Sequence, residues 1–221
     1  MAVVIQKTND ISVTDKGIKI AVYGGAGIGK TRLSATAPHP LIISAESGLL
    51  SLRDSDTDYI AIKNQKDFDD AYKFVKSPDC KYDTICIDSA SEIAETILFC
   101  MKPNEKDARQ AYMKMGEYML DKIRDFRDLP NINVVFNFKM RIIEDDDGGI
   151  LFYVPMAPGK MIGDQVPYMF DEIFCMQQRK DGTVFLQTKA DRQRFCKDRS
   201  GSLEKEEPAN LTDIINKIRG T

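Results

Sequence analysis

The chain has 221 residues, of which 43% are hydrophobic and 29% are charged, and its formal net charge at pH 7 is −3. This balance is typical of a globular protein with one substantial core, and the small net charge excludes a strong overall basic field for nucleic acid without excluding a local one. No apolar run approaches the length of a bilayer, and the five cysteines are scattered without a C-x-x-C pair, so we expect a cytoplasmic protein with reduced thiols, no membrane partner and no zinc site.

Short β-rich apolar runs alternate with helical patterns, which predicts an α/β fold with a mainly parallel central sheet flanked by helices. The predicted strands are Ile18–Tyr23, Leu41–Ala45, Tyr59–Ile62, Thr84–Ile87, Asn133–Phe138, Leu151–Val154, Glu172–Met176 and Val184–Gln187. The predicted helices are Lys30–Ala37, Lys66–Val75, Glu92–Met101, Asp107–Asp128 and Leu211–Ile218. Beyond residue 141 the strands follow one another, so we expect an antiparallel C-terminal extension of the same sheet.

We assign residues 18–221 to one domain and residues 1–17 to an N-terminal segment. Within that segment Val3–Gln6 is a candidate oligomerisation strand, donated across a subunit interface.

The first predicted strand leads directly into Gly24-Gly25-Ala26-Gly27-Ile28-Gly29-Lys30-Thr31. Two glycines separated by four residues and followed by Lys and Thr match the phosphate-binding loop, in which glycines bring backbone N–H groups against phosphate oxygens. In that pattern Lys30 reaches the β- and γ-phosphates, Thr31 holds Mg²⁺, and the helix that continues through Arg32 adds a favourable dipole. The alternative is an ordinary Gly-rich turn, but the flanking strand and helix favour a nucleoside triphosphate site over the whole stretch from Gly24 to Arg32.

Two carboxylates follow predicted strands at their carboxyl ends: Glu46 after the second strand and Asp88 after the fourth. Because the carboxyl ends of parallel strands meet at one crevice, Asp88 is placed to hold Mg²⁺ beside Thr31, and Glu46 to orient a water for in-line attack. The alternatives are a strand-end cap for Asp88 and a solvated or capping side chain for Glu46. The only histidine, His39, lies between two prolines, so we expect a carboxylate rather than a histidine as the base.

The order of these motifs resembles the RecA/KaiC-like branch of P-loop ATPases. Three segments, Gly17–Gly24, Ala45–Leu49 and Cys196–Leu203, are similar to a phage-encoded ATP-binding family that includes core-only, RecA-like single-strand annealing recombinases. The resemblance covers most of residues 15–217 and implies a RecA-like P-loop NTPase fold. It also implies an ATPase that depends on Mg²⁺, is stimulated by DNA, and acts in recombination in the cytoplasm of a bacterial host. In this reading Glu46 is the water-activating carboxylate and Asp88 is the Walker-B aspartate.

The resemblance further places a sensor of the γ-phosphate on the strand Asn133–Lys139. RecA-like proteins carry a polar residue, often Gln, near the end of that strand, and this chain has Asn137, Lys139 and Arg141 there. Lys139 is the favoured sensor, although a solvated lysine fits the sequence equally well.

A basic residue from a neighbouring subunit commonly completes the site in such oligomers. Lys197 and Arg199 match the basic motif of the family, and either would neutralise γ-phosphate charge as an arginine finger does. The alternative is a surface ion-pair cluster with Asp191 and Asp198. The resemblance therefore implies a homo-oligomer, a ring or a filament, with ATP at the subunit interface.

Single-stranded DNA is the partner that the resemblance implies, and a single-strand binding protein is a further candidate. Basic residues concentrate near the C-terminal strands, around Phe195: Lys189, Arg192, Arg194, Lys197 and Arg199. A predicted loop over 148–167 carries Phe152, Tyr153 and Lys160, where aromatic rings would stack on bases, although the acidic run over 144–147 opposes phosphate. The second candidate loop is Met101–Gln110, with Lys102, Lys106 and Arg109.

Two other functions stay open. A P-loop kinase would pass the γ-phosphate to a small acceptor and use the stretch Arg192–Arg199 as its lid. A nucleotide-gated scaffold would bind ATP and barely hydrolyse it.

Overall fold

The computed structural model describes residues 17–46, 50–105, 107–156 and 160–221, so the candidate strand Val3–Gln6 lies outside the described residues. The strands are β1 Lys19–Gly24, β2 Pro40–Ser44, β3 Asp58–Ala61, β4 Thr84–Asp88, β5 Asn133–Glu144, β6 Ile150–Met156, β7 Glu172–Gln178, β8 Val184–Gln187, β9 Lys197–Asp198 and β10 Glu206–Pro208. The helices are α1 Lys30–Ser34, α2 Gln65–Val75, α3 Ala90–Met101, α4 Ala108–Arg127, α5 Lys160–Met169 and α6 Leu211–Arg219.

These strands form one sheet in the order β10-β8-β7-β1-β5-β4-β2-β3, with β6 paired to β5 and β9 paired to β7. Neighbours from β7 to β3 are parallel, whereas β8, β10, β6 and β9 pair antiparallel. The predicted α/β fold, with a mainly parallel sheet and an antiparallel extension, is therefore confirmed. Within the predicted extension, β6 pairs antiparallel as expected, whereas β7 runs parallel to β1.

The centre of the sheet is buried on both faces. Along β1, Ala21 and Tyr23 pack into the core beneath α2, α3, α4 and α5, while Ile20 and Val22 pack into the core beneath α1 and α6. Continuous apolar strands of this kind are expected when helices cover both faces of a parallel sheet. Each large side chain buried this way stabilises the fold by about 1.5–3 kcal/mol.

Polar side chains mark where the helices begin. The side chains of Asn64, Ser89, Asp107 and Asn210 accept hydrogen bonds from backbone N–H groups in the first turns of α2, α3, α4 and α6. Such caps satisfy donors that have no partner within the helix. None of the described helices is both long and apolar enough to cross a membrane.

The predicted loop over 148–167 is wrong, because most of it is β6, which contains the predicted strand Leu151–Val154, and α5. β5 continues to Glu144 and forms a hairpin with β6, and the turn is closed by Asp145, whose Oδ1 accepts from the N–H groups of Asp147 (3.1 Å) and Gly149 (2.6 Å). Much of the hairpin is exposed, so it lacks the apolar periodicity that identifies buried strands. Pro167 inside α5 concealed that helix. The predicted helix Lys30–Ala37 also ends early, at Ser34.

Candidate functional site

The glycine-rich stretch connects the end of β1 to the start of α1. Gly27 and Gly29 have φ angles of +71° and +105°, a backbone region that residues with a Cβ rarely adopt. The Lys30 ammonium donates to the carbonyls of Gly24 (2.9 Å) and Gly25 (2.8 Å), so it lies over the loop, and burial lowers its pKa. Because α1 has only five residues, its dipole is weaker than the predicted longer helix would supply.

The loop forms one wall of a cleft of about 740 Å³ at the carboxyl edge of the parallel strands. The cleft is lined by Gly24, Gly25, Ala26, Gly27, Gly29, Lys30, Thr31, Arg32, Glu46, Ser51, Asp88, Ser89, Lys139, Met140, Ile142 and Met156. All predicted nucleotide and metal residues except Ile28 are in this set, and Ile28 packs its side chain against the core instead. The Arg32 Nε donates to the Ser51 carbonyl at 3.2 Å. The opposite wall, from the β5–β6 hairpin, was not anticipated from the sequence.

Asp88 ends β4 with its side chain 1% exposed. Its Oδ1 accepts from the Asn137 amide at 2.9 Å, whereas its Oδ2 is buried and has no hydrogen-bond partner among the described residues. A buried carboxylate oxygen without a partner costs free energy unless a cation or water satisfies it. Asp88 and Thr31, which line the same cleft, therefore fit Mg²⁺ chemically. The cap of α3 is Ser89, whose Oγ accepts from the Glu92 N–H at 3.3 Å, so Asp88 is not that cap.

Glu46 lies at the mouth of the cleft, two residues beyond the end of β2. The last residue of β2, Ser44, is in register with Asp88 on the neighbouring strand, and its hydroxyl accepts the Glu46 N–H at 3.1 Å. Partial burial raises the pKa of Glu46, and the carboxylates of Asp88 and Glu92 raise it further. A raised pKa makes a carboxylate a better proton acceptor near neutral pH.

The predicted sensor strand is β5, and the sheet order places it between β1 and the Asp88 strand. Lys139 lines the cleft, but its ammonium pairs with Glu92 (2.7 Å) and Glu95 (2.9 Å) on α3. Asn137 is fully buried, and Arg141 is exposed on the hairpin. Of the three candidates, Lys139 alone lines the cleft.

Lys197 and Arg199 lie at the opposite end of the parallel strands. Lys197 lies on β9 and Arg199 directly follows it, and β9 pairs with the beginning of β7, where Glu172 is in register with Ile20. At about 3.3 Å per residue, that level is about 13 Å along β1 from Gly24. Neither basic side chain therefore enters the cleft of its own chain.

The contacts of these two basic residues differ from the predicted ion-pair cluster. Lys197 donates to the carbonyls of Pro167 (3.2 Å) and Phe170 (2.7 Å) at the end of α5. Arg199 is exposed and pairs with Asp171 at 2.9 Å. The other predicted partners are engaged locally: Asp191 with Arg194, and Asp198 with the loop that follows it.

The aromatic residues predicted to stack on bases differ in exposure. Phe152 is 48% exposed on the hairpin. Tyr153 and Phe195 are partly buried against the core, and the Arg194 guanidinium lies over the Tyr153 ring at 4.9 Å from its centroid. Lys106 and the side chain of Lys160 fall outside the described residues. In the second candidate loop, Lys102 and Arg109 are exposed, and the Lys102 ammonium lies over the Tyr112 ring at 5.3 Å.

The sequence did not predict the structural contacts made by Tyr23 and Asn137 near the cleft. The Tyr23 hydroxyl, just before the loop, lies 3.0 Å from the carbonyls of both Tyr153 and Phe195 and links β1 to the hairpin. Asn137 links α1 to Asp88. The available signal was a single polar residue inside the apolar run of β5, which indicates a buried hydrogen bond without naming its partners.

Comparison with known proteins identifies a family for this chain. A family model described as an AAA domain matches residues 16–200. No curated protein matches the chain. Among solved structures, a KaiC-like protein from the hyperthermophilic archaeon Pyrococcus horikoshii is similar at 11% identity and a TM-score of 0.44, covering 86% of this chain and 84% of that one. Because the family model spans most of the sequence, including the phosphate loop, Glu46 and Asp88, the chain belongs to the AAA domain family and is a P-loop ATPase domain.

Proposed function

We propose that this chain is a Mg²⁺-dependent ATPase that assembles as a homo-oligomer on single-stranded DNA and promotes strand annealing in phage recombination. The observation that carries the hydrolytic part is the cleft itself. It brings the Lys30 ammonium, the partnerless oxygen of Asp88 and the Glu46 carboxylate to one edge of the sheet.

These residues divide the work of hydrolysis. Lys30 exchanges its two loop carbonyls for β- and γ-phosphate oxygens of ATP. Thr31 and Asp88 would hold Mg²⁺, which when bound would supply positive charge to the same phosphates. A water attacks the γ-phosphorus, its proton passes to Glu46, and the bond to the oxygen bridging the β- and γ-phosphates breaks to release ADP.

The assembly part rests on where the remaining cations lie. Within the part of the chain that the structure describes, the Lys139 ammonium is paired with two carboxylates, and Lys197 and Arg199 lie at the far end of the strands. Arg32 also lines the cleft, with its Nε bonded to the Ser51 carbonyl. We infer that a further cation at the γ-phosphate comes from a neighbouring copy. Arg199 suits this role better than Lys197, because its guanidinium is exposed while the Lys197 ammonium holds the end of α5.

The DNA part is supported by exposed cations close to the hairpin. Lys189 and Arg192 are exposed, and Gln193 next to them donates to the Ile150 carbonyl of β6 at 3.1 Å. The base of the same hairpin forms a wall of the nucleotide cleft. A single strand of DNA would bind here through phosphate contacts and through Phe152. The β5–β6 hairpin would then couple the bound strand to the nucleotide state. The acidic turn over 144–147 adjoins this surface, because Glu144 pairs with Ile150, and it would repel the phosphates of the strand.

The test measures phosphate release from ATP with and without DNA, and binding of a labelled single strand with and without ATP. Wild type should hydrolyse ATP faster with DNA and shift the labelled strand at low salt. Glu46→Gln should lower turnover about 100-fold or more while ATP still binds, because the base is lost and the shape is kept. Glu117→Gln, the same change at an exposed position on α4, is the matched control and should behave as wild type.

Each alternative gives a different result. ATP binding without hydrolysis, with or without DNA, would support the scaffold instead. ATPase activity that ignores DNA, together with no shifted strand, would refute the recombination role while leaving the ATPase. Unchanged turnover in Glu46→Gln would remove Glu46 from the mechanism.

A further inference from the structure

Asn137 is a fully buried amide in the middle of an apolar strand, between Phe136 and Phe138. Burying an amide is unfavourable unless hydrogen bonds replace those it made to water. Its Nδ2 meets three acceptors: the Ser34 hydroxyl (2.9 Å), Asp88 Oδ1 (2.9 Å) and the Lys30 carbonyl (3.3 Å). Its Oδ1 is buried and has no partner among the described residues. The donor end of this side chain is therefore the end that the fold uses.

These acceptors belong to two different elements. Lys30 and Ser34 are the first and last residues of α1, the helix that carries Thr31, whereas Asp88 ends β4. β5 lies between β1 and β4 in the sheet, so its side chains can reach both. The Asn137 amide thus joins the helix that supplies one metal ligand to the strand that supplies the other.

We propose that Asn137 is a positioning residue for the metal carboxylate. By occupying Oδ1 of Asp88, the amide leaves Oδ2 as the single oxygen available for Mg²⁺, and by holding α1 it sets the distance between Asp88 and Thr31. This inference rests on the proposed binding of ATP with Mg²⁺. Hydrogen-bond partners of metal ligands orient those ligands, and their loss commonly weakens metal binding 10–100-fold.

The role differs from that of a γ-phosphate sensor. Asn137 is absent from the residues that line the cleft, and its amide hydrogens are directed to protein acceptors. It would therefore act through Asp88 and α1 without touching the nucleotide. The measurable consequence is a change in how strongly Mg²⁺ promotes nucleotide binding.

The experiment compares the affinity for a fluorescent ATP analogue in excess Mg²⁺ with that in EDTA. The variants are Asn137→Ala and Asn137→Leu, the second of which fills the space without donating a hydrogen bond. The matched control is Asn133→Ala, because Asn133 is also buried on β5 but bonds to the Ile18 N–H (3.0 Å) and the Asp83 carbonyl (3.3 Å), away from the cleft.

We expect the ratio of the affinity in Mg²⁺ to the affinity in EDTA to fall about 10–100-fold in both Asn137 variants. Their affinity in EDTA should equal that of wild type. Asn133→Ala should keep the wild-type ratio. A wild-type ratio in both Asn137 variants overturns the inference, whereas a wild type that binds no nucleotide overturns the proposed function instead. If circular dichroism shows both Asn137 variants unfolded, Ser34→Ala decides: reduced tightening supports the inference, and an unchanged ratio refutes it.

Discussion

Glu172, the first residue of β7, is a buried carboxyl whose protonation should control the pH dependence of stability. Its side chain is 1% exposed; Oε1 accepts the Ser200 N–H at 3.1 Å, and Oε2 has no partner among the described residues. Burial raises the pKa of Glu172 to about 8, against the lowering effect of the Ser200 N–H, and the carboxylates of Asp198 and Asp171 raise it further. The folded protein therefore keeps this proton at neutral pH, while the unfolded chain releases it near pH 4.5.

The sign and size of the effect follow from this difference. Between pH 4.5 and pH 8 the folded state binds more protons at Glu172 than the unfolded state, so stability falls as pH rises. The pKa values correspond to a penalty of about 1 kcal/mol at pH 5 and about 4 kcal/mol at pH 8. Gln cannot ionise and keeps the acceptor for Ser200. The stability advantage of Glu172→Gln over wild type should therefore grow by about 3 kcal/mol from pH 5 to pH 8. This figure is an upper limit, because local relaxation reduces the penalty in wild type.

The assay is thermal unfolding of wild type and Glu172→Gln at pH 5, 6, 7 and 8. A change of 1 kcal/mol shifts the melting temperature by about 2–4 °C at this chain length, so the variant's advantage should grow by about 6–12 °C across the range. Glu204→Gln, the same change at an exposed site, corrects for the effect of the substitution itself. A difference between Glu172→Gln and wild type that stays constant with pH, or shrinks as pH rises, refutes the reasoning.

Two further substitutions probe the phosphate loop and its support. Gly29→Ala forces a Cβ into a φ of +105°, which should cost about 1–2 kcal/mol in stability and weaken ATP binding; unaltered ATP affinity by calorimetry would contradict it. Tyr23→Phe removes the hydroxyl that bonds to the Tyr153 and Phe195 carbonyls, and urea unfolding should show a loss of about 1–2 kcal/mol. Stability equal to wild type would mean that this bond contributes nothing net.

Much of the fold follows from local sequence pattern. Apart from the exposed edge strand β3, the parallel strands are short, largely buried apolar runs. The bounds predicted for β1 to β8 lie within one or two residues of those observed except for β5, which continues to Glu144 instead of ending at Phe138. The outer part of β5 and the helix α5 were missed because exposed strand residues lack an apolar period and because Pro167 interrupts the helical pattern. Contacts that are distant in sequence, such as Lys197 with the end of α5, follow from chain packing and leave no local signature.

The phosphate loop could be identified from the sequence alone, because eight consecutive residues supply its glycines, Lys30 and Thr31. Asp88 and Glu46 could be placed nearby, because parallel strands align their carboxyl ends at one edge. Only the tertiary structure decided the strand order, which sets β5 between β1 and β4 and lets Asn137 bond to both α1 and Asp88. It also placed Arg199 at the far end of the strands, since the pairing of β9 with β7 depends on long-range contacts rather than on neighbouring residues.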